Sequence, residues 1–556
     1  GSEMCIRDSI YRGYEETCES LGVIDFAELL LRALELWKEN PEVLEHYQGR
    51  FQHILVDEFQ DTNAVQYAWL RILAGTRSAV TAVGDDDQSI YGWRGAKVEN
   101  ILSYERDFPQ THTVKLEQNY RSTSNILTAA NGVISKNAER LGKNLWTDSG
   151  EGESIALYAA FNEHDEARYI ADRLQSWVND GNRRDDSAIL YRSNAQSRVL
   201  EAALLQAEIP YRIYGGQRFY ERLEIKNALA YLRLMLNCHD DVAFERVVNV
   251  PPRGIGDRTL ELIRELARGN NTTLWSAASL VVSEKHLTAR ATNAVSAFLE
   301  LVNDMSGQLE ELPLAEQAEN AIQFSGLIEM HRREKGERGQ ARVENLEELI
   351  SACRAFEAED RDIPILPQFL DQVALDAGDR QADEDQDAVQ LMTLHSAKGL
   401  EFPLVLIAGM EENLFPHKMS LDEPGRLEEE RRLAYVGITR AMQKLYLTFA
   451  ESRSIYGSES FNSVSRFVRD IPKEVIEEVR IHNTIARPTS YAASSIQSDQ
   501  GDNTGFQLGQ QVNHKVYGEG VILNFEGNGP RARVHVSFEQ VGTKILILAS
   551  ANLAAV

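Results

Sequence analysis

Ile54-Leu55-Val56-Asp57-Glu58-Phe59-Gln60-Asp61 runs three apolar β-formers straight into two adjacent carboxylates. A short uninterrupted apolar run suits a buried parallel strand. In open α/β sheets, ligands bind beyond the carboxyl ends of such strands, so Asp57 and Glu58 are expected at a ligand crevice. An Asp there can hold Mg²⁺, and a Glu beside it can take a proton from an attacking water. A strand that ends in a solvated acidic turn gives the same string, so these eight residues do not decide between the two readings.

Working outward, a helical segment at Asn63–Ala74 leads to a second apolar strand, Ala79–Val83, and then to Gly84-Asp85-Asp86-Asp87-Gln88-Ser89-Ile90-Tyr91-Gly92-Trp93-Arg94-Gly95-Ala96. This loop has no apolar periodicity but is rich in acids and aromatics, which argues for function rather than core. Gln88 can orient a water or touch a phosphate, and Tyr91 and Trp93 can stack on bases. Strand-like Val114-Lys115-Leu116 runs into Glu117-Gln118-Asn119-Tyr120-Arg121-Ser122-Thr123, followed by a helix from about Ser124. An aromatic beside an Arg at such a junction suits a nucleotide, ring on ring and guanidinium on phosphate. On the other side, Phe26, Leu29, Leu30, Ala33, Leu34 and Trp37 recur at helical spacing, with Asp25 as a helix cap. Residues 1–9 show no periodicity and read as an artefact or tag.

Further strands at Ile155–Tyr158 and Ala188–Tyr191, with helices between them, carry the signature of parallel α/β architecture. From about Gly215 to Asp385 the strands give way to a helical insertion. Within it, Pro251-Pro252-Arg253-Gly254-Ile255-Gly256-Asp257-Arg258-Thr259 precedes a helix. Its glycines and the helix N-terminus suit a phosphate, with Arg253 and Arg258 beside it; an ordinary turn and cap fits as well. The α/β pattern resumes with a strand at Val389–His395, then Ser396-Ala397-Lys398-Gly399-Leu400-Glu401-Phe402, a strand at Val405–Ala408, a helix at Glu428–Ala441 and a strand at Lys444–Phe449. Arg440 lies near the helix end, where it could simply complement the helix dipole. Tyr456 falls in a polar turn. Residues 483–507 read as a flexible linker, and about 508–556 as the short alternating strands of a small β-barrel.

The 556-residue length predicts several domains, and 43% hydrophobic with 26% charged residues excludes a disordered chain. A net charge of −27 argues against a general nucleic-acid coat, although it leaves room for a local basic groove. Four scattered cysteines (Cys5, Cys18, Cys238, Cys353) with no CxxC pair read as free thiols of a reducing cytoplasm. No apolar run reaches membrane-spanning length, and the expected partners include no membrane.

LVDEFQD at 55–61, GDDDQSIYGWRGA at 84–96, LEQNYRST at 116–123, TLHSAKGLEF at 393–402 and LAYVGITRA at 433–441, in that order, resemble the motifs of the UvrD/PcrA/Rep group of superfamily 1A DNA helicases. The resemblance covers nearly everything from residue 10 onward. It implies an α/β fold of two RecA-like, P-loop-NTPase-type parallel-sheet lobes that hold ATP and Mg²⁺ in the cleft between them, the first lobe incomplete. It also implies a helical insertion and a C-terminal SH3/Tudor-like barrel. The implied division is 10–51 for a helical domain 1B remnant, 52–117 for domain 1A, 118–214 with 386–482 for domain 2A, 215–385 for domain 2B, and 508–556 for the barrel.

By the same resemblance, Asp57 is the Mg²⁺-associated carboxylate, Glu58 the base, and Gln88 the sensor that links phosphate to DNA. Tyr120 is the adenine-stacking ring, Arg121 and Arg440 stabilise the transferring phosphoryl group, and Glu401 faces the ribose. Tyr91, Trp93, Thr393 and His395 are implied as single-strand contacts. Arg253, Gly254, Gly256 and Thr259 are implied as a duplex contact, and Tyr456 as the tip that splits it. The implied activity is ATP-dependent 3′–5′ unwinding in bacterial nucleotide excision and mismatch repair, in the cytoplasm at the nucleoid. Implied partners are single-stranded DNA, duplex junctions, repair proteins and, through the barrel, RNA polymerase.

The string GxxxxGK[ST] of a P-loop occurs nowhere in the chain. Its place in the family precedes the 54–61 strand, so the expectation is of a helicase shortened at its N-terminus and inactive as it stands, its first strand short of neighbours. Two other readings compete: a helicase–nuclease subunit of the AddA/RecB type, and a non-catalytic DNA- or polymerase-binding protein. A small barrel after residue 508 leaves no room for a nuclease domain.

Overall fold

The computed structural model describes residues 2–76, 78–138, 140–284, 286–307, 312–334, 336–358, 360, 362–378, 382, 386–421, 423–455, 458–479, 510–515, 517–526, 533–538, 542–547, 551 and 553–555. Tyr456 and the linker at 483–507 lie outside the described residues. The chain separates into two compact units. One comprises residues 1–118, 134–145 and 425–436, and the other residues 119–133, 146–424 and 437–556.

The first unit opens with helices Ser2–Leu21, Phe26–Glu39 and Pro41–Arg50. The first of them begins inside the stretch that showed no periodicity. Asp25 caps the second by accepting from Glu28 N at 2.8 Å, and Leu34 and Trp37 are its buried residues. Strands β1 (His53–Val56) and β2 (Ala79–Ala82) pair in parallel, His53 opposite Ala79. The helix Ala64–Ala74 joins them, and Asn63 and Gln66 close a reciprocal capping box at its start.

Two expectations for this unit need correction. β1 is parallel but not buried: Leu55 is 80% exposed. A strand is buried by what pairs and packs on it, and among the described residues β1 has one ladder partner, β2. Val114-Lys115-Leu116 is not a strand either. Both its apolar side chains are exposed, and Lys115 Nζ instead donates to the carbonyls of Leu141 (2.8 Å) and Gly142 (2.5 Å).

The second unit is built on β3 (Ile155–Ala160), β4 (Ser187–Tyr191), β5 (Tyr211–Ile213), β6 (Val389–Thr393), β7 (Phe402–Ile407) and β8 (Ala441–Ala450). A short antiparallel hairpin, β9 (Arg453–Ile455) with β10 (Ser458–Ser460), precedes β11 (Ile476–Val479). The larger sheet has the order β11-β3-β8-β7-β4-β6-β5, and every pair in it is parallel. β4, the Ser-Ala-Ile-Leu-Tyr run, is buried along its whole length because it has a strand on each side.

Between β5 and β6 the described residues are helical, from Leu223–Leu236 to Ile365–Gly378. Tyr231, Phe244, Phe298 and Leu346 lie within their common core. The Glu337–Ala355 helix meets the sheet layer through polar groups: Arg198 Nε donates to Glu348 Oε1 at 2.6 Å, and Ser193 Oγ to Glu344 Oε2 at 2.6 Å.

Near the C-terminus, β12 (Gln511–His514), β13 (Gly518–Glu526), β14 (Arg533–Phe538), β15 (Gly542–Ile547) and β16 (Leu553–Ala555) form an antiparallel sheet of order β15-β14-β13-β12-β16. The short antiparallel strands expected of a small barrel are present, and among the described residues their ladder runs from β15 at one edge to β16 at the other. Leu553–Ala555 was not anticipated as a strand, since three small or apolar residues carry no alternation. Val512, Ile522, Val534, Val536 and Phe538 form the core of this sheet.

Candidate functional site

The β1 strand ends at Asp57 and Glu58, both exposed. Glu58 adopts φ +49 and ψ +43. That left-handed conformation is uncommon for a residue with a Cβ and costs of order 1–3 kcal/mol where the surroundings enforce it. Its amide donates to Asp57 Oδ1 at 2.9 Å. The next turn is locked to β2: Phe59 N donates to the Val83 carbonyl at 3.0 Å. Gln60, 1% exposed, donates from Nε2 to Glu58 Oε2 at 2.6 Å and accepts on Oε1 from Asp85 N at 2.9 Å.

The 84–96 loop begins where β2 ends, beside Glu58 because the two strands run in register. Gln88 Nε2 donates to Asp85 Oδ2 at 2.6 Å. The carboxylates of Asp85, Asp86 and Asp87 lie within 4.8 Å of one another, a grouping that can hold a cation. Their charges are already met. Arg140 clasps Asp87 with two hydrogen bonds of 2.6 Å, Lys143 pairs with Asp85, and Leu141 N donates to Asp86 Oδ2 at 2.9 Å. Burial pushes the Asp86 carboxyl above its ordinary range. The cluster is thus an ion-paired brace for the loop, and exposed Asp57 fits a metal ion better. Farther along, Arg94 lies over the rings of Trp93 (4.5 Å) and Tyr91 (5.1 Å). Trp93 is exposed and Tyr91 half-buried, so this aromatic–cation group is open to a base.

In the second unit, Asn119 Oδ1 accepts from the amides of Arg121 and Ser122, each at 2.8 Å. Ser122 Oγ fastens the turn to the Ala441 carbonyl at 2.6 Å. This hold turns Tyr120 outward, its ring 81% exposed. Arg121 Nε donates to Glu401 Oε2 at 2.5 Å, so two candidate nucleotide contacts from distant positions meet. The predicted helix over 428–441 runs Arg426–Ile438, and Arg440 follows it in the turn before β8. The Arg440 side chain is buried; Nη1 donates to the Leu400 carbonyl at 2.9 Å and Nη2 to Thr439 Oγ1 at 3.2 Å. The 400–401 turn therefore carries contacts to both arginines. Thr393 ends β6, where its hydroxyl lies 3.0 Å from Ser396 Oγ, and His395 follows half-buried in the turn.

The 251–259 segment places Gly256 at the N-cap of the Asp257–Asn270 helix. Gly254 requires its glycine, at φ +81. Gly256 does not: its backbone is extended, and a Cβ there would meet nothing within 4 Å. Arg253 turns inward, donating to the carbonyls of Val247 (3.3 Å), Pro251 (3.0 Å) and Ser325 (2.8 Å) beneath the rings of Tyr231 and Phe298. That is the opposite of the phosphate-facing cation expected. Arg258 is exposed, and Thr259 is half-buried in the helix's first turn.

Sequence reasoning missed Arg140 and Lys143, which carry no local pattern, and gave Gln60 no role although it stands inside the LVDEFQD string. Among the described residues, no helix is long and apolar enough to cross a membrane.

Comparison with known families matches residues 5–109 to the UvrD/REP helicase N-terminal domain, 114–452 to the UvrD-like helicase C-terminal domain and 508–554 to the PcrA/UvrD tudor domain. DNA helicase II of Escherichia coli is 57% identical over 549 residues, which cover 98% of this chain and 76% of that protein. DNA helicase II of Haemophilus influenzae is 51% identical over 98% of this chain and 75% of its own length. The ATP-dependent DNA helicase PcrA of Bacillus subtilis is 41% identical over 98% of this chain and 76% of its own. With its parallel α/β sheets, its motifs at strand ends and this extent of identity, the chain belongs to the UvrD/PcrA family of UvrD-like helicases.

Proposed function

We propose that these residues serve an ATP-dependent 3′–5′ DNA helicase and translocase. The observation that carries the reading is the register of β1 with β2. It sets the carboxylates Asp57 and Glu58 beside the loop that presents Gln88, Tyr91 and Trp93, so groups suited to hydrolysis and groups suited to a single strand share one sheet end. Family membership supports the same reading.

In this reading Asp57 holds Mg²⁺ and Glu58 takes a proton from the attacking water. Tyr120 stacks on adenine, Glu401 faces the ribose, and Arg121 and Arg440 stabilise phosphoryl charge. Bound ATP with Mg²⁺ supplies the phosphoryl group whose transfer to water drives the cycle. Tyr91, Trp93, Thr393 and His395 hold the single strand. The Gly254–Thr259 segment approaches duplex phosphate through its backbone, with Gly256 kept small for that approach rather than for the fold.

We further propose two RecA-like lobes with the domain limits given above, Tyr456 at a strand-splitting tip, and a cytoplasmic role at the bacterial nucleoid in excision and mismatch repair. The C-terminal sheet would serve as a Tudor-like tether to RNA polymerase.

Trp93 tests the strand-holding part. Base–aromatic stacking contributes roughly 1–3 kcal/mol. Trp93→Ala is expected to weaken binding of a fluorescent single-stranded oligonucleotide by about 5–150-fold, taking 1.4 kcal/mol as tenfold, while nucleotide binding persists. Unchanged oligonucleotide affinity would remove Trp93 from the strand path.

Deletion of residues 508–556 tests the tether. Strand separation should survive, and co-purification with RNA polymerase should be lost. Retained co-purification places the polymerase contact elsewhere in the chain.

A further inference from the structure

We infer that Gln60 is a positioning residue that holds the Glu58 carboxylate and ties it to the loop bearing Gln88, Tyr91 and Trp93. The inference rests on the reading of Glu58 as the base and deepens it. A buried amide must satisfy both of its ends. Gln60 Oε1 faces the Asp85 N–H at 2.9 Å, and only the oxygen of an amide can accept there. The NH₂ end is thereby aimed at Glu58, where it donates to Oε2 at 2.6 Å. A Cβ on Gly84 would lie 2.7 Å from Gln60 Oε1, so a side chain there would push the amide out of its present place.

The connection continues past Asp85. Its Oδ2 accepts from Gln88 Nε2 at 2.6 Å and its Oδ1 from Asp87 N at 3.0 Å, while Lys143 and Arg140 pin the acids of the same loop. A shift of the loop when a strand engages Trp93 displaces the Asp85 amide, and the Gln60 side chain must follow it. Glu58 stands in a left-handed turn, and the Gln60 amide fixes one of its two carboxylate oxygens there. Gln60 thus joins strand occupancy to the placement of the base through one side chain.

The test uses these residues joined behind a GxxxxGK[ST] segment, together with the 556-residue chain itself. Gln60→Met keeps shape and loses both hydrogen bonds. It is expected to lower DNA-stimulated kcat about a hundredfold, the scale of a misplacement near 1 Å, with KM for ATP unchanged. Added to Glu58→Gln, it should cost nothing more, because it acts through that carboxylate. In the unextended chain, hydrogen exchange at the Asp85 amide should accelerate in Gln60→Met.

A Gln60→Met enzyme within threefold of the parent, where Glu58→Gln is dead, overturns the role of Gln60 and leaves Glu58 standing. Additive losses in the double variant overturn it as well. Full turnover in Glu58→Gln is a different result: it removes the base, and this inference with it.

Discussion

Glu58→Gln, placed in a polypeptide that carries these residues behind a GxxxxGK[ST] segment, is expected to bind ATP and to hydrolyse it about 10²–10⁴-fold more slowly, the usual contribution of a positioned general base. The physical case is local. Glu58 stands exposed at the end of β1, and its backbone is held in an uncommon conformation next to Asp57. A Gln there has nearly the same volume and the same reach but cannot take a proton at neutral pH. Nucleotide affinity should therefore persist, because the ring of Tyr120 and the arginines are untouched. The measurement pairs a phosphate-release assay with a fluorescent-nucleotide titration. Near-normal turnover would sink the assignment, and loss of both binding and turnover would point to misfolding of the 57–61 turn instead.

The second large effect concerns the 556 residues as they stand. They include Asp57, Glu58, Arg121 and Arg440, and they contain no GxxxxGK[ST] string. Phosphoryl transfer is catalysed mostly by positioning and charge stabilisation, so without that phosphate-cradling string these four side chains are expected to turn over little ATP. Saturating single-stranded DNA is expected to elicit no measurable phosphate release from this chain, and the extended polypeptide should release it readily. Robust release from the 556 residues that vanishes in Glu58→Gln would mean that another part of the chain cradles the phosphates. The second unit should fold regardless, since β4 and its neighbours are packed from within that unit.

Much of the candidate site was legible because its chemistry is local in sequence. Asp57 and Glu58 follow a strand, Tyr120 and Arg121 occupy a turn before a helix, and Asp25 caps a helix, all within a few residues of the groups that fix them. The groups that brace the site were not legible. Arg140 reaches Asp87 across 53 residues, and Arg121 reaches Glu401 across 280. No spacing rule carries that information, because the fold chooses those partners.

The same division runs through the fold. By itself the sequence determined element type and direction: apolar runs of β-formers became parallel strands at β1, β2, β4 and β7, and helical periodicity held through the insertion, because φ/ψ preference and side-chain spacing act within a few residues. Only the tertiary structure decided which runs were buried. Ile54-Leu55-Val56 and Ala188-Ile189-Leu190 are alike in composition, yet Leu55 is 80% exposed and Ile189 fully buried. Burial belongs to the neighbours a strand acquires, and β4 has two where β1 has one among the described residues. Arg253 makes the same point for charge. Its place beside two glycines reads as a phosphate contact, but the carbonyls of Val247, Pro251 and Ser325 and the rings of Tyr231 and Phe298 claim the guanidinium first.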